Sequence, residues 1–216
     1  MRITDALEAV QMIDNGSTLM IGGFMAVGTP ETLVDAIMIQ GIGGLTVISN
    51  DTGFENKGVG KLIGDGRIAN LIASHVGTNP ETGRQINSGK INATLLPQGS
   101  LVEKIRAGGS GLGGVLTPTG LGTVVADGKD VLKINDQPYL LELPLRADFA
   151  LIQAWKADLA GNLIYHGSAR NFNPIMVLAA DTVIVEADEI VEDGYLDPDQ
   201  VVTPGILVDY LVKKVE

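Results

Sequence analysis

Three kinds of residue in this 216-residue sequence could carry chemistry: a glycine-rich passage, polar side chains just after apolar runs, and two histidines. The richest segment is Asn15 to Pro30, NGSTLMIGGFMAVGTP. A short apolar run delivers the chain into Gly22-Gly23, and Gly28-Thr29-Pro30 opens a helix. Glycines there permit positive φ and close approach of a ligand, and free N–H groups at a helix start attract an anion such as phosphate. A tight strand-to-helix connection holding no ligand uses the same residues, and the residues alone leave both readings open. Asn50 and Asp51 close a second apolar run, where an Asx turn is the plain alternative to a binding role. Gln98 lies in Pro97-Gln98-Gly99 after a third run, where a glutamine can equally serve the turn backbone.

Other fingerprints lack their context. Gly109-Ser-Gly-Leu-Gly-Gly114 fits the dinucleotide pattern but follows a helix rather than a strand, so a mobile or ligand-hugging loop facing the site is expected instead. Gly58-Val-Gly-Lys61 lacks phosphate-loop spacing, and Leu112 takes the last position that a serine-hydrolase elbow around Ser110 needs. His75 and His166 stand far apart without obvious partners, so no metal site is expected. Cysteine is absent, which excludes disulfides, thiolate ligands and a cysteine nucleophile.

These residues need elements to hold them, and the chain has the material. It is 45% hydrophobic, enough for a buried core, with 28 glycines and a net charge of -11. Such acidity argues against nucleic acid, which needs a basic face. Met1 to Val10 carries Asp5 and Glu8 ahead of any apolar run, unlike a secretory leader, so a cytoplasmic protein is expected. Ala107 to Ala126 is uncharged for 20 residues, but its seven glycines and Pro118 make a poor membrane helix. It reads as a buried or site-forming loop, and no membrane partner is expected.

Strand and helix signals alternate. Thr4 is the expected cap of a first helix that ends at Asn15-Gly16. Strands are expected at 18–21, 45–49, 68–74 and 91–96. Helices are expected after Thr29 (the cap, with Pro30 at the first helical position), after Asn79, and over 100–107. Val131 to Ile134 and Tyr139 to Leu143 flank a hairpin turn, with further strands at 149–155 and 182–185 around a helix at 174–179. This predicts an α/β fold: an open, mostly parallel sheet with helices on both faces, plus a small antiparallel β addition near 115–145. No repeat or linker divides the chain, so one domain over 1–216 is expected.

The Asn15–Pro30 segment resembles the signature of the family I CoA-transferase α subunits: Asn-Gly, three apolar residues, Gly-Gly-Phe, then Gly and Pro at the same intervals. The resemblance extends through SND at Ser49–Asp51, SHVGTNPETGR at Ser74–Arg84 and LLPQGSLVEKIRAGGSGLGG at Leu95–Gly114. It continues through LTPTGLGT at Leu116–Thr123, PLRADFALI at Pro144–Ile152 and SARNFNP at Ser168–Pro174, nearly the whole chain. It points to the acetate/acetoacetate (butyrate–acetoacetate) type. Such enzymes move CoA between short-chain carboxylic acids through a thioester on a glutamate, which lies in a Ser-Glu-Asn-Gly motif of the β subunit. This sequence lacks that motif, and Glu55-Asn56 reads as a solvated loop. The resemblance therefore implies half an enzyme, with a β subunit as partner in an α2β2 assembly. CoA and acyl-CoA would be substrates, with no other cofactor. Gln98 would stabilise the oxyanion, Gly22, Gly23, Phe24, Met25, Ala26, Val27 and Gly28 would form the CoA-side loop, and Asn50 would lie near the carboxylate substrate. Asp51 would repel that carboxylate and is left out of the site. An acidic α subunit should supply backbone dipoles to the CoA phosphates while its partner supplies cations. His75, Arg146 and Arg170 stay undecided between site, interface and structural roles. Two rivals are a stand-alone sugar-phosphate isomerase-like enzyme and a regulatory domain sensing a CoA ester or sugar phosphate. The first would need an acid/base pair beside the glycine loop, and the second a DNA-binding module.

Overall fold

A computed structural model describes residues 1–215. The elements, in chain order, are β1 (Arg2–Thr4), α1 (Ala6–Val10), β2 (Thr18–Ile21), α2 (Glu31–Gln40), β3 (Leu45–Ile48), α3 (Val59–Gly64) and β4 (Ile68–Ala73). Next come α4 (Pro80–Asn87), β5 (Asn92–Leu95), α5 (Gln98–Gly109), β6 (Val115–Thr117), β7 (Val131–Ile134) and β8 (Gln137–Glu142). The last are β9 (Ala147–Asp158), β10 (Leu163–Ile164), α6 (Asn173–Met176), β11 (Ala180–Val191) and β12 (Tyr210–Lys213).

The main sheet runs β1-β12-β11-β9-β2-β3-β4-β5, every neighbouring pair on that path parallel, with β10 antiparallel on β9. The chain winds outward from β2 to β5, then returns and winds the other way from β9. The order reverses between β2 and β9, and such a switch point leaves a crevice at the carboxyl ends of the strands. Alternate strand residues serve two cores. Leu19 and Ile21 join α1, α2 and α3 on one face, while Met20, Ile48 and Ala150 join α5 and α6 on the other. The second sheet, β6-β8-β7, is the expected antiparallel addition. Asn135 and Asp136 turn its hairpin with φ of 49° and 61°, so β8 starts at Gln137 rather than Tyr139.

Several boundaries differ from expectation. Asp5, not Thr4, caps α1, its carboxylate accepting from Glu8 N, and the helix stops at Val10. Thr4 is spent in β1, a three-residue edge strand too short to show a period. Pro30 is the N-cap of α2 in place of Thr29. The unexpected α3 contains two glycines, poor helix formers, and forms because Val59, Leu62 and Ile63 are buried. β9 and β11 outrun their expected ends because pairing continues to Val191 opposite Asp158. Acidic residues interrupt the apolar pattern there, yet Glu189 lies opposite Lys156 and pairs with it at 2.6 Å.

The 107–126 stretch also differs. Beyond Gly108 none of it is buried, and it carries β6 and a 3-10 turn at Val124–Ala126. A Cβ on Gly108 would collide with the Leu145 carbonyl, and one on Gly109 with Leu178. Those neighbours precede β9 and β11, so the dinucleotide-like loop starts at the sheet edge opposite the crevice. The chain then returns along α5, and Val115, Leu116, Thr117 and Thr119 line a pocket with Gly99 and Ser100, next to Gln98. Gly108→Ala should destabilise by about 1–3 kcal/mol through overpacking. Gly83→Ala, within α4 where a Cβ meets open space, should stabilise by about 0.5–1 kcal/mol. Urea unfolding midpoints measure both.

Candidate functional site

β2 ends at Ile21, and Gly22 N donates to Leu151 O of β9 at 2.9 Å, which places the glycine passage at the switch point. Gly22 packs directly on Asn173, whose Oδ1 sits where a Cβ would be. Asn173 is fully buried; its amide donates to Gly28 O (2.9 Å) and Ala169 O (2.8 Å) and accepts from Gln153 N (3.0 Å). The close approach that glycine permits is made here by the protein's own side chain.

Between the glycines the chain makes a tight finger. Phe24 N reaches Val27 O at 3.0 Å and Val27 N reaches Phe24 O at 2.9 Å. Met25 and Ala26 form the tip with φ of 47° and 63°, left-handed geometry that costs about 1 kcal/mol or more per non-glycine residue. Asp51 holds the tip, its Oδ2 accepting from Met25 N at 2.8 Å. The Phe24, Met25 and Val27 side chains are exposed, while Ala26 is buried. The amides of Phe24, Met25 and Val27 are thus spent internally, and the finger offers side chains outward.

The expected anion hole at the start of α2 is filled. Glu186 Oε2, from mid-β11, accepts from Thr32 N at 2.7 Å and Leu33 N at 3.3 Å. This buried carboxylate takes the place an external phosphate was expected to occupy. Burial pushes the Glu186 carboxyl up to about 7, although the Leu33 and Thr32 N–H groups and the Lys214 ammonium pull the other way. Gln153 lies opposite Glu186 in register on the neighbouring strand, and the Oε1 atoms of both are buried without a hydrogen-bond partner among the described residues. A proton on Glu186 gives that carboxyl a donor of its own in a surrounding where Gln153 Oε1 also lacks one.

Asn50 and Gln98 meet. Gln98 opens α5 behind Pro97 and is exposed, as a first-turn helix residue rather than part of a separate turn. Its Nε2 donates to Asn50 Oδ1 at 2.7 Å. Asn50 is buried at the end of β3, and its Oδ1 also accepts from Ser74 Oγ at 2.9 Å. Its Nδ2 donates to Asp51 Oδ2 at 2.7 Å. Three segments that the sequence singled out therefore share one hydrogen-bonded edge. Across the finger lies a cleft of about 660 Å³, walled by Gly28, Thr29, Gln153, Trp155, His166 and Ser168. Lys57 and Lys214 also line it.

The undecided residues separate. His75 follows Ser74, its N–H near Asn50 O at 3.3 Å, so it borders the site. Arg146 donates to Gly108 O and to Asp181, a structural role at the opposite edge. Arg170 is exposed at the end of the 3-10 turn 167–170. Glu55 pairs with Arg84 at 3.1 Å in solvent, as its loop position suggested. The sequence reading missed Asn173, though it stands in the SARNFNP segment, and Glu186, whose acidity within a strand was the available signal. It set Asp51 aside on charge, but Asp51 works on backbone and amide donors.

The family model for coenzyme A transferase matches residues 3–214. The chain belongs to the coenzyme A transferase family. It is 54% identical over 205 residues to the acetate CoA-transferase subunit alpha of Escherichia coli K12, covering 95% of this chain and 93% of that one. It is 52% identical to the acetoacetyl-CoA:acetate/butyrate CoA transferase alpha subunit of Clostridium acetobutylicum, covering 93% and 92%. The fold matches an acyl-CoA transferase from E. coli O157:H7, solved as a thioester complex with CoA, with TM-score 0.87 and 23% identity. That match covers 98% of this chain and 47% of the other, so this chain spans about half its length. Glutaconate coenzyme A-transferase from Acidaminococcus fermentans gives TM-score 0.87 at 20% identity, covering 99% and 75%.

The Glu186 arrangement sets a pH dependence. The folded carboxyl keeps its proton to about pH 7, whereas an ordinary glutamate releases it near 4.5. Across that interval folding takes up a proton, so this contribution to stability is full below the interval and falls as pH rises through it. Glu186→Gln should flatten the slope, read as unfolding midpoints across the interval.

Proposed function

We propose that the chain is the α subunit of a heteromeric short-chain acyl CoA-transferase, with the glutamate nucleophile supplied by a β subunit in an α2β2 assembly. The observation that carries this reading is the Gln98–Asn50 contact at the strand ends, beside the finger of a chain that belongs to this family. One Gln98 N–H is held by Asn50 and the second remains to donate. Acyl transfer develops negative charge on a carbonyl oxygen, and a fixed amide donor stabilises it without changing protonation.

The reaction runs in balanced steps. The β-subunit glutamate attacks the acyl-CoA carbonyl, and the tetrahedral oxyanion collapses to a mixed anhydride and CoA thiolate. The thiolate attacks the glutamyl carbonyl, releasing the first carboxylate and leaving a glutamyl–CoA thioester. The acceptor carboxylate then reverses both steps, which gives ping-pong kinetics. Gln98 serves each oxyanion, and Asn50 orients Gln98 beside the carboxylate substrate. The Gly22–Gly28 finger contacts CoA through Phe24, Met25 and Val27, since their amides are engaged within the protein. CoA is substrate, and the chain's own residues require no metal or redox cofactor for these roles. Acetate, butyrate and acetoacetate are the proposed class of acids, and the cytoplasm, where acyl-CoA is available, the proposed compartment. Among the described residues no helix is long and apolar enough to cross a membrane. Family membership supports this reading over the isomerase and sensor rivals.

The purified chain should transfer CoA only when its β subunit is added; activity without it would overturn the half-enzyme reading. In the reconstituted enzyme, Gln98→Ala should lower kcat about 100- to 1000-fold with little change in KM. Unchanged kcat would remove Gln98 from the mechanism.

A further inference from the structure

Asp51 is the meeting point of the candidate site. It is buried at the end of β3, and three donors converge on its carboxylate: Met25 N at 2.8 Å and Asn50 Nδ2 at 2.7 Å on Oδ2, and Gly53 N at 2.7 Å on Oδ1. From there the bonds run in series, with Asn50 Oδ1 accepting from Gln98 Nε2 at 2.7 Å. A side-chain amide has a donor end and an acceptor end of nearly equal shape, and its hydrogen-bond partners decide which way round it sits. A carboxylate has no such ambiguity, because its oxygens accept. Facing Asp51, Asn50 must present its NH2 group. Its oxygen then faces Gln98, and Gln98 must in turn present its NH2 group.

We propose that Asp51 is a positioning residue that fixes the polarity of this amide relay, so that Gln98 offers the reacting carbonyl an N–H and never its own carbonyl oxygen. The proposal rests on the oxyanion reading of Gln98. It assigns Asp51 no contact with substrate. Through Met25 N the same carboxylate sets the finger, so the loop and the amide pair are held in one frame. Ser74 Oγ, just past β4, lies 2.7 Å from the Asn50 backbone carbonyl and 2.9 Å from Asn50 Oδ1. With one proton to share between them and lone pairs that also accept, it does not decide which way the Asn50 amide sits.

The test uses the reconstituted enzyme with acyl-CoA and acetate as substrates. Asp51→Asn keeps the shape and removes the fixed polarity, and it should lower kcat about 100-fold, as misoriented catalytic groups do. On a Gln98→Ala background it should cost little more, because the group it orients is gone. Full multiplication of the two losses would show a general structural role and overturn the proposal. The swap Asn50→Asp/Asp51→Asn puts an acceptor-only oxygen directly against Gln98 Nε2. It should recover most of kcat, with a raised KM for acetate from the nearer negative charge. If Asp51→Asn fails to assemble with the partner, Asn50→Leu decides in its place, since it cuts the relay and leaves Asp51 on Met25 N and Gly53 N. A kcat loss that vanishes on the Gln98→Ala background then supports the relay, and full multiplication of the two losses overturns it. A silent Gln98→Ala overturns the oxyanion reading and the relay with it. A severe Gln98→Ala beside a silent Asp51→Asn overturns the relay alone.

Discussion

The pairing of β2 with β9 governs the molecule. It is the line on which the sheet reverses its winding, with Leu19, Met20 and Ile21 opposite Phe149, Ala150 and Leu151. Consecutive units leave this line in opposite directions, so their crossovers diverge and open the crevice. The glycine passage enters that gap because β2 is short and β9 long: one strand stops at Ile21 while its neighbour runs on to Asp158. Asn173 then bolts the passage to β9, and Asp51 bolts it to β3. Each link exists because an element next to the switch line ends where it does.

The central strands and the two-sided α/β layering were legible in the sequence because buried parallel strands read as uninterrupted apolar runs. The antiparallel addition was legible from its turn residues. The termini and α3 were not, since β1 pairs through three residues and α3 owes its helix to burial rather than propensity. In the site, Gln98 and Asn50 were legible through motif resemblance, but their mutual hydrogen bond joins residues 48 positions apart and no local pattern reports it. Glu186 illustrates the remaining limit. A glutamate in a strand looks like a break, and only the docking of α2 against β11 gives it backbone donors to accept.

The net charge of -11 also takes on another meaning. Asp5, Asp51, Asp148, Asp158, Glu31, Glu186 and Asp209 each accept a hydrogen bond from a backbone N–H. Seven of the 26 acidic side chains thus serve as scaffolding, closing strand ends and helix starts that would otherwise leave donors unmet. Those seven carboxylates are directed at the protein's own donors rather than at a substrate.

The finger at Met25-Ala26 has one more consequence. A loop that must order itself around a ligand loses conformational entropy in the act of binding, and affinity falls accordingly. This loop has the amides of Phe24, Met25 and Val27 engaged, its tip anchored and its flanks packed before any ligand arrives, so that entropy is surrendered during folding. A ligand then meets a surface already in its final shape. Tight association there demands good fit to Phe24, Met25 and Val27 rather than adaptability, and a small change in the ligand's outline should be felt in full.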